Sequence, residues 1–599
     1  MTSASTFPDL IRRAKDRFAD RVFLPRRRPS GGDSVTFGQL GRDVEQVAAG
    51  LLSLGIQRGD HVGLISENCY EWLLADLACA SVGITDVPRG TDTSPLELLF
   101  ILRHAGCRLA FAENDQAART LFELQDELPE LRMICVLAET TTLDDVLTLA
   151  DLRRTGRKTL AHDRDYVARA SRDVTPDDIL TIVYTSGTTA EPKGVMLSHA
   201  NVLSNLDGLS RMLSFGEEDV FLSVLPAWHA YERVLDYVAF HGGCQLVYTD
   251  RRRIKEDLRA VRPTVFGAVP RIWESIHDGI VTACRRKSRP VAWFLDRVLC
   301  ACRSVGERRA NGREKLLHRL AQRKILPQFR DAAGGRLRIA VSGGGSLPRH
   351  VDACLLGIGI PVLNGYGLTE TSPVVSVRTP EDNRPGTIGR PIPATEVEVR
   401  DEDGAALPIG QIGHLWIRGP QIMRGYYNNP ERTERVLRDG WFHSGDLGRI
   451  EPDGHIAITG RAKDTIVLAG GENVEPEHIE AALKTSPLIE QAIVLGQDRK
   501  SLGAIVFPSL DCLELEVPRE QWDVRDGVLE GEPVRRLYRS VIDRVLASEN
   551  GFRPLERVAT FRIVLEPMTI ENGLLTQTLK MKRHVVAERH GELIAGMFG

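Results

Sequence analysis

Cysteines at metal-binding or redox spacing are absent from this chain of 599 residues. Its 10 cysteines are scattered, and the nearest pair, Cys300 and Cys302, has no second pair or neighbouring histidines to complete a zinc site. A strong excess of charge is absent too: the net charge is −4, which argues against bulk binding to nucleic acid. We therefore expect reduced thiols that pack as small apolar side chains, and no nucleic-acid partner.

Long uncharged apolar segments are also missing. Residues 1–9 lack the apolar core of a signal peptide. The most apolar run, 72–87, carries Asp76 and Asp86, which predicts a buried helix and not a membrane span. Hydrophobic residues make up 42% and charged residues 26%, a balance typical of water-soluble proteins. From these features we expect a cytoplasmic enzyme.

Short apolar runs alternate with segments of helical periodicity from about residue 35 onward. Residues 61–66 and 108–112 predict strands, and residues 70–82 between them predict a helix. Alternation of this kind predicts an α/β fold, with layered α/β subdomains and largely parallel sheets. A chain of this length exceeds what one hydrophobic core usually supports, so we expect at least two domains.

The domain boundaries follow from changes in pattern. Short strands and turns around 413–419 and 453–454 predict a small β region, and helices and strands alternate again after residue 464. We predict a large N-terminal domain at 1–460, a hinge at 461–464 and a small mobile α+β domain at 465–599.

The segment at about 280–330 is unusually basic. Lysine and arginine greatly outnumber the acidic residues between 285 and 330, which are Asp296, Glu307 and Glu314, and apolar residues are interleaved. This pattern predicts a basic amphipathic helical insertion. One interpretation is peripheral docking on an anionic membrane, such as the inner face of a cell membrane. The other is a solvated helical face that only packs on its domain.

The strongest chemical signal is the segment 184–196, which follows the apolar run 179–183. Its hydroxyls and bare backbone N–H groups suit phosphate oxygens, and Lys193 supplies a positive charge. Gly194 follows the lysine where a Walker A loop needs serine or threonine, so the loop belongs to another class. A glycine-rich surface turn is the alternative.

Two later segments suit the base and phosphates of a nucleotide. The glycines at 343–345 follow a predicted strand and allow a ring or phosphate to approach the backbone closely. Tyr366 offers an aromatic face, Thr369 a hydroxyl, and Glu370 an oxygen ligand for Mg²⁺. The alternatives are a common glycine turn and a tyrosine that belongs to the core.

Two segments nearer the C-terminus complete the set. Asp446 and Arg461 pair a carboxylate with a guanidinium, which together can hold the two hydroxyls of a ribose. Lys580 stands close to the end of the chain. Taken singly, Asp446 is also compatible with a simple turn and Lys580 with a solvated surface lysine.

In this order, the segments resemble the acyl-CoA synthetases of the adenylate-forming superfamily, from about residue 35 to residue 583. The variants at 225–233, 471–476 and 573–580 are similar to long-chain fatty acid–CoA ligases. The resemblance implies a Mg²⁺-dependent ligase that uses ATP to convert a long-chain fatty acid into an acyl-adenylate, then transfers the acyl group to coenzyme A. The alternatives are a fatty acyl-AMP ligase that loads a carrier protein, and a non-catalytic nucleotide- or lipid-binding homologue.

The resemblance also implies which residues act. Those implied for catalysis are Lys193, His229, Thr369, Glu370 and Lys580. Those implied for nucleotide binding are Thr185, Ser186, Gly187, Thr188, Thr189, Lys193, Gly343, Gly344, Gly345, Tyr366, Gly367, Thr369, Asp446, Arg461 and Lys580. Glu370 is the implied metal ligand and Lys463 the implied hinge residue.

The implied roles are specific. Lys193 and the loop hydroxyls hold the β- and γ-phosphates, and Tyr366 and the 343–345 loop enclose adenine. Lys580 bridges the substrate carboxylate and the α-phosphate, and Gly470 or Gly471 lines the passage for the pantetheine arm. His229 borders the reacting carbonyl or assists the thiol, or is a packed structural histidine.

Three positions depart from the pattern of the resemblance. Leu579 precedes the final lysine where many relatives have glycine, His414 stands where relatives often have glutamate, and Ser444 replaces a frequent threonine. None of these changes removes a charged catalytic group.

Overall fold

The computed structural model describes residues 4–26, 28–185, 192–576 and 579–598. Up to residue 212 it contains α1 (Phe7–Phe18), β1 (Val22–Leu24), β2 (Val35–Thr36), α2 (Phe37–Ser53), β3 (His61–Ile65), α3 (Tyr70–Ser81), β4 (Thr85–Arg89), α4 (Pro95–Ala105), β5 (Leu109–Ala112), α5 (Asp115–Leu124), β6 (Met133–Val136), β7 (Leu147–Thr148), α6 (Leu149–His162), α7 (Tyr166–Arg172), β8 (Ile179–Thr185), β9 (Lys193–Ser198) and α8 (His199–Met212).

The rest of the large domain continues the alternation and then consists mainly of strands, with one helix. Residues 220–377 form β10 (Val220–Ser223), α9 (Ala230–Gly242), β11 (Gln245–Tyr248), α10 (Ile254–Val261), β12 (Val265–Ala268), α11 (Pro270–Arg285), α12 (Arg289–Gly306), α13 (Gly312–Ala321), α14 (Leu326–Arg330), β13 (Ile339–Ser342), α15 (Arg349–Ile358), β14 (Val362–Gly367) and β15 (Val374–Val377). Residues 390–461 form β16 (Arg390–Pro391), β17 (Glu396–Arg400), β18 (Gly413–Arg418), β19 (Gly425–Tyr426), α16 (Pro430–Val436), β20 (Leu437–Arg438), β21 (Trp441–Ile450) and β22 (Ile456–Arg461).

The C-terminal part has its own elements. They are β23 (Ile466–Val467), β24 (Asn473–Val474), α17 (Pro476–Leu483), β25 (Ile489–Leu495), β26 (Leu502–Pro508), α18 (Leu510–Glu516), β27 (Val524–Arg525), β28 (Val528–Leu529), α19 (Glu532–Val545), β29 (Val558–Ile563), α20 (Arg583–Arg589) and α21 (Gly591–Phe598). Strands β25, β26 and β29 form a three-stranded sheet with a core of its own.

Two large sheets dominate the N-terminal domain. The first has the order β19-β9-β8-β4-β3-β5-β6-β7, and the second has the order β11-β10-β12-β13-β14-β15-β16. Strands β3 to β8 in the first sheet and β10 to β14 in the second pair in parallel, and antiparallel strands stand at one edge of each. Strands β17, β18, β20, β21 and β22 form a separate antiparallel sheet. The predicted fold class is confirmed; the exact domain boundaries stay predictions.

The apolar run 72–87 is divided in the structure, so its prediction as a single buried helix is wrong. Helix α3 ends at Ser81, and strand β4 begins at Thr85 after a turn at Gly83, whose φ is 73°. Gly83 permits the left-handed backbone that ends the helix. Within the described ranges, no helix combines the length and apolarity that crossing a membrane requires.

Asp76 and Asp86, from the two parts of that run, meet at one buried arginine. Arg233 on α9 is 3% exposed and donates hydrogen bonds to both carboxylates, with its Nη2 2.7 Å from Asp86 Oδ2. It also donates to Thr181 Oγ1 and Tyr237 Oη, at 2.8 Å each. Every polar partner comes from the core, so the network ties α3 and α9 to the first sheet.

The basic insertion consists of helices α12 and α13. Gly306 on α12 and Gly357 on α15 allow a close approach, because an added Cβ at either position would lie about 2 Å from a carbonyl oxygen of the facing helix. The outer face remains open: Trp293 is 65% exposed and Leu320 is 69% exposed. One side of the insertion therefore packs on the domain, while the other presents apolar and basic side chains to solvent.

Candidate functional site

The predicted site residues come from the ends of several strands. Thr185 ends β8, Lys193 begins β9, the 343–345 loop follows β13, and residues 369–371 form a single 3₁₀ turn after β14. Ligands in open α/β sheets usually bind at such strand ends. The predicted phosphate-binding residues Ser186, Gly187, Thr188 and Thr189 lie outside the described residues, and their role stays a prediction.

Lys193 and Glu370 meet in a charged cluster. The Nζ atom of Lys193 donates to Glu370 Oε1 and to Tyr426 Oη, at 2.7 Å each, and Tyr426 Oη donates to the same carboxylate at 2.9 Å. Burial, the largest single effect, would raise the pKa of Glu370, but the Lys193 charge and the hydrogen bonds from Lys193 and Tyr426 together hold that pKa below its ordinary value. Glu370 is therefore an ionised carboxylate beside the predicted phosphate loop.

Sequence reasoning missed Tyr426. It lies on β19, which pairs with β9 so that Tyr426 is opposite Val195, two residues after Lys193. The contact depends on two strands that are far apart in the chain. The local sequence offers only the glycine before Tyr426 as an indication of an unusual backbone, and in the structure Gly425 has a φ of 143°.

Asp446, Arg461 and Tyr366 form a second cluster. Asp446 is directly opposite Arg461 in the β21–β22 pair. Its Oδ1 atom accepts from Arg461 Nε at 2.9 Å, and its Oδ2 atom accepts from Tyr366 Oη at 2.5 Å. Burial and the neighbouring Asp446 carboxylate both raise the pKa of Tyr366 well above its ordinary value, so the phenol is a hydrogen-bond donor. The structure thus joins Tyr366, which the sequence predicted in a different segment, to the predicted pair of Asp446 and Arg461.

The glycine loop after β13 is built for close contact. The backbone of Gly344 has a φ of 80°, and a Cβ at Gly343 would lie 3.0 Å from Tyr231 Cζ. Gly367 has a different reason: an added Cβ there would lie 2.0 Å from the carbonyl oxygen of Pro373. Gly343 thus allows the Tyr231 ring to pack closely, Gly344 allows the left-handed turn of the loop, and Gly367 allows the close approach of the Pro373 carbonyl.

Two polar groups beside this loop were not predicted. Asn364 Oδ1 and Ser342 Oγ are buried and have no hydrogen-bond partner among the described residues. Buried polar atoms are rarely left unpaired, because their desolvation is then uncompensated. Both atoms lie at the strand ends that carry Gly343 and Tyr366, so they mark a place where a polar ligand fits.

His229 is half-buried at the start of α9. Its Nδ1 atom accepts a hydrogen bond from the Tyr231 amide at 3.2 Å, which places the ring proton of the neutral imidazole on Nε2. Burial, the Lys580 ammonium and the Arg89 guanidinium lower its pKa to about 4. His229 is therefore neutral at pH 7, caps its helix and is close enough to Lys580 to feel its charge.

Lys580 reaches the cleft from the small domain. The residue is exposed to solvent, but the atoms packed around its ammonium desolvate it, and this desolvation together with the Arg461 guanidinium lowers its pKa to about 8. The carboxylates of Asp446, Glu477 and Glu370 act in the opposite direction. The preceding Leu579 has a φ of 60° and packs against apolar clusters of both domains. Lys580, the last of the predicted site residues along the chain, thus lies close enough to Arg461, Asp446 and Glu370 to respond to their charges.

The predicted hinge and pantetheine residues lie elsewhere. Lys463 follows β22 in a turn, where burial and the Arg461 guanidinium lower its pKa. Gly470 and Gly471 are exposed in the β23–β24 connection, and Gly471 has a φ of 87°. Their contact is local, since the Gly471 amide donates to the Leu468 carbonyl oxygen at 2.8 Å.

A metal ion has one suitable ligand in this site. Across the residues that the structure describes, no group of three or more His, Cys, Asp or Glu side chains converges. Mg²⁺ does not need such a cage, because it commonly takes one or two carboxylates plus substrate phosphates. An ionised Glu370 beside a phosphate loop fits that mode of binding.

Comparison with known proteins gives a consistent result. The sequence matches the model of the AMP-binding enzyme family over residues 11–427 and that of the AMP-binding enzyme C-terminal domain over residues 463–524. It is 34% identical to a chloroplastic long-chain-fatty-acid–[acyl-carrier-protein] ligase of Arabidopsis thaliana, covering 99% of this chain and 86% of that protein. It is 33% identical to peroxisomal long chain acyl-CoA synthetase 7 of the same organism, with the same coverage.

One bacterial protein and two solved structures are also similar to this chain. A long-chain-fatty-acid–CoA ligase of Mycobacterium tuberculosis is 31% identical over 94% of this chain and 92% of its own length. The fold matches an anthranilate CoA ligase in complex with anthranoyl-AMP, with a TM-score of 0.75, 21% identity and 98% coverage of both chains. It also matches ATP-bound MatB from Rhodopseudomonas palustris, with a TM-score of 0.71, 22% identity and coverage of 98% and 99%.

Proposed function

The chain belongs to the AMP-binding enzyme family and is an acyl-activating, adenylate-forming ligase, and we propose that it converts a long-chain fatty acid to its coenzyme A thioester. The observation that carries the proposal is the position of Lys580. A lysine from the small domain reaches the cleft where Lys193, Glu370, Asp446 and Arg461 meet. That arrangement suits a reaction in which a carboxylate and a triphosphate, both anionic, must approach each other.

In the first step, a fatty carboxylate oxygen attacks the α-phosphorus of ATP. A new P–O bond forms, the bond to the β-phosphate breaks, and pyrophosphate leaves. Lys193 holds the leaving phosphates, and Thr369 donates to the α-phosphate. Lys580 bridges the carboxylate and the α-phosphate, where negative charge concentrates in the transition state.

Glu370 is the residue that would hold Mg²⁺. In the structure its carboxylate already pairs with Lys193 at 2.7 Å, so a bound triphosphate would draw Lys193 away and leave the carboxylate free. The ion would supply neutralisation of phosphate charge. The residues around it bind the nucleotide: Asp446 accepts from the ribose hydroxyls and Arg461 donates to their oxygens. Tyr366 and the 343–345 loop enclose adenine, with Asn364 Oδ1 available to its amino group.

In the second step, the coenzyme A sulfur attacks the acyl carbonyl, the bond to AMP breaks, and the thiol proton passes to solvent. Because the Nε2 atom of neutral His229 carries a proton, we assign it the role of donor to the acyl carbonyl and not of base. Lys580 and the 470–471 connection cannot occupy the cleft together. The small domain therefore turns about 461–464, with Lys463 as the hinge residue, and presents its other face.

The acyl acceptor is the point on which the relatives differ, since their names include both coenzyme A and acyl-carrier-protein ligases. The test is pyrophosphate release with ATP, Mg²⁺ and fatty acids of increasing chain length, with and without coenzyme A. We expect sustained turnover only with coenzyme A, strongest on long chains. A single-turnover burst unaffected by coenzyme A would instead favour carrier-protein loading, and no release with any acid would contradict the proposal.

The outer face of α12 and α13 supports a second proposal, peripheral contact with an anionic membrane. Trp293, Phe294, Leu316 and Leu320 are exposed apolar side chains. Exposed basic residues surround them: Arg285, Arg286, Lys287, Arg289, Arg297, Arg313, Lys315, Arg319, Arg323 and Lys324. Apolar side chains that insert at the headgroup level and cations that pair with acidic lipid are complementary to a bilayer surface, where a fatty acid is also found.

Vesicle sedimentation tests this contact. We expect binding to vesicles that contain phosphatidylserine, weak binding to pure phosphatidylcholine, and loss of binding in the Trp293→Ala/Leu320→Ala variant. The matched control is Leu96→Ala, because Leu96 is 80% exposed but lies on α4. Equal binding of both variants, or no preference for acidic lipid, would exclude this face.

A further inference from the structure

Helix α11 carries ion pairs to the small domain that the proposed chemistry does not use. Glu274 Oε1 lies 3.2 Å from Lys484 Nζ, and Arg271 Nη2 lies 3.3 Å from Glu490 Oε1. Lys484 directly follows α17, and Glu490 is on β25. Two separate segments of the small domain therefore contact one helix of the large domain.

These contacts are specific to one orientation of the small domain. Residues 271 and 274 are three apart and lie on one face of α11, with opposite charges. Their partners carry the complementary charges: Glu490 faces Arg271, and Lys484 faces Glu274. A rotation that removes Lys580 from the cleft changes which face of the small domain meets α11, so neither pair persists unless α11 moves with it.

The same helix borders the nucleotide site. Gly345 approaches Pro270, the first residue of α11, because a Cβ at Gly345 would lie 3.6 Å from Pro270 Cγ. Ser346 Oγ, next in the loop, donates to Glu477 Oε2 at 3.4 Å. The small domain is thus held at the edge of the glycine loop and on α11, on the side of the cleft that Lys580 enters.

We propose that Glu274–Lys484 and Arg271–Glu490 form an electrostatic latch that holds the small domain in the orientation for adenylate formation. Its four members are positioning residues, since they act through the placement of Lys580. A contact present in only one of two states shifts the population toward that state. The effect on the half-reactions rests on the proposed function, whereas the effect on domain orientation does not.

Charge reversal tests the latch kinetically. In Glu274→Lys or Lys484→Glu, like charges face each other, and we expect acyl-AMP formation to slow by about fivefold, the scale of a lost partly exposed ion pair. Thioester formation from supplied acyl-AMP should not slow. The double variant Glu274→Lys/Lys484→Glu restores opposite charges and should recover the rate. The matched control is Glu256→Lys, the same reversal at an exposed position of α10.

Thiol labelling tests the orientation without any substrate. Among the ten cysteines, Cys300 is exposed, Cys512 is half-buried, and the others are buried. Cys512 lies in the domain contact, with its Sγ 3.8 Å from Arg285 Nη1. In the single reversals we expect iodoacetamide to modify Cys512 faster, relative to Cys300, by several-fold, and the double variant should restore protection.

The outcomes separate the two proposals. Unchanged Cys512 labelling in both single reversals, or equal slowing of both half-reactions without rescue in the double variant, overturns the latch. Altered Cys512 labelling in a protein that releases no pyrophosphate with any fatty acid supports the latch and contradicts the proposed substrate class.

Discussion

Two clusters of buried charge, one around Arg233 and one around Lys193, contain similar groups but are built differently. Arg233 is 3% exposed, and its contacts with Asp76, Asp86, Thr181 and Tyr237 all lie within the core. The Lys193 side chain is 19% exposed and adjoins the predicted phosphate loop.

The two clusters differ in whether a ligand can replace one of the groups that pair with the cation. The core network gains nothing from a ligand, because its partners are fixed on packed elements. The cleft cluster keeps its charges ionised by a pairing that a triphosphate can replace, since Lys193 prefers phosphate oxygens when these are available. The buried charges around Arg233 are therefore structural, whereas those around Lys193 fit the proposed chemistry.

The largest effect is expected for Arg233→Met. Removing the guanidinium leaves Asp76 and Asp86 buried without their cation, which costs about 3–5 kcal/mol of the free energy of unfolding. Urea denaturation of purified protein measures this loss. The control Arg132→Met, at an arginine whose side chain is 62% exposed, should change stability by less than about 0.5 kcal/mol. Equal effects in the two variants would mean that the network is not structural.

Lys580→Ala should have the next largest effect. We expect adenylate formation to fall about 100- to 1,000-fold, a loss of about 3–4 kcal/mol in transition-state stabilisation, because no other cation replaces the ammonium at the α-phosphate. Thioester formation from supplied acyl-AMP should remain. The measurement is the rate of each half-reaction, and comparable loss in both would contradict the role of Lys580.

Lys463→Pro should affect the two half-reactions in the opposite way, in the same assay. Fixing φ at the proposed hinge should impair the rotation, so thioester formation should slow while adenylate formation is spared. Unchanged overall turnover would remove Lys463 as the hinge.

Lys193→Met probes the cleft cluster directly. We expect about a 100-fold slower adenylation but a change of only about 1 kcal/mol in unfolding free energy, since Tyr426 still donates to Glu370 at 2.9 Å. Half-reaction rates and urea denaturation measure both quantities on one sample. A stability loss as large as that of Arg233→Met would erase the contrast between the two clusters.

The smallest predicted effect is a dependence on pH. Lys580 acts as an ammonium, and its pKa is lowered to about 8, so kcat/KM for adenylation should fall up to tenfold per pH unit above about pH 8. In Lys580→Arg the guanidinium stays charged, and this limb of the profile should disappear. Its persistence in the arginine variant would assign the titration to another group.

Sequence patterns predicted the fold class and most of the site segments for a physical reason. Alternating apolar runs specify strands and helices locally. The hydroxyl residues and the lysine of 184–196 carry their chemistry in their side chains, and the glycines there leave the backbone N–H groups accessible. The pairing of Asp446 with Arg461 was also implied by their order.

Long-range contacts were beyond the sequence. Tyr426 contacts Lys193 only because β19 pairs with β9, and the sequence of neither strand specifies that pairing. Likewise, the two aspartates that excluded a membrane span gave no sign that Arg233, far along the chain, neutralises them. The division of residues 72–87 into helix and strand depends on Gly83, a single residue in a strongly apolar context.

The pairing of Asp446 with Arg461 has a consequence for how the acyl-adenylate would stay bound between the two proposed half-reactions. Arg461 is the first residue of the proposed hinge, and points on the axis of a turning body are displaced least. Lys580 belongs to the part of the small domain that rotates about this axis in the proposed motion. A nucleotide whose ribose is held at the axis would therefore remain bound while Lys580 moves, and the product of the proposed first reaction would stay in place as the substrate of the second.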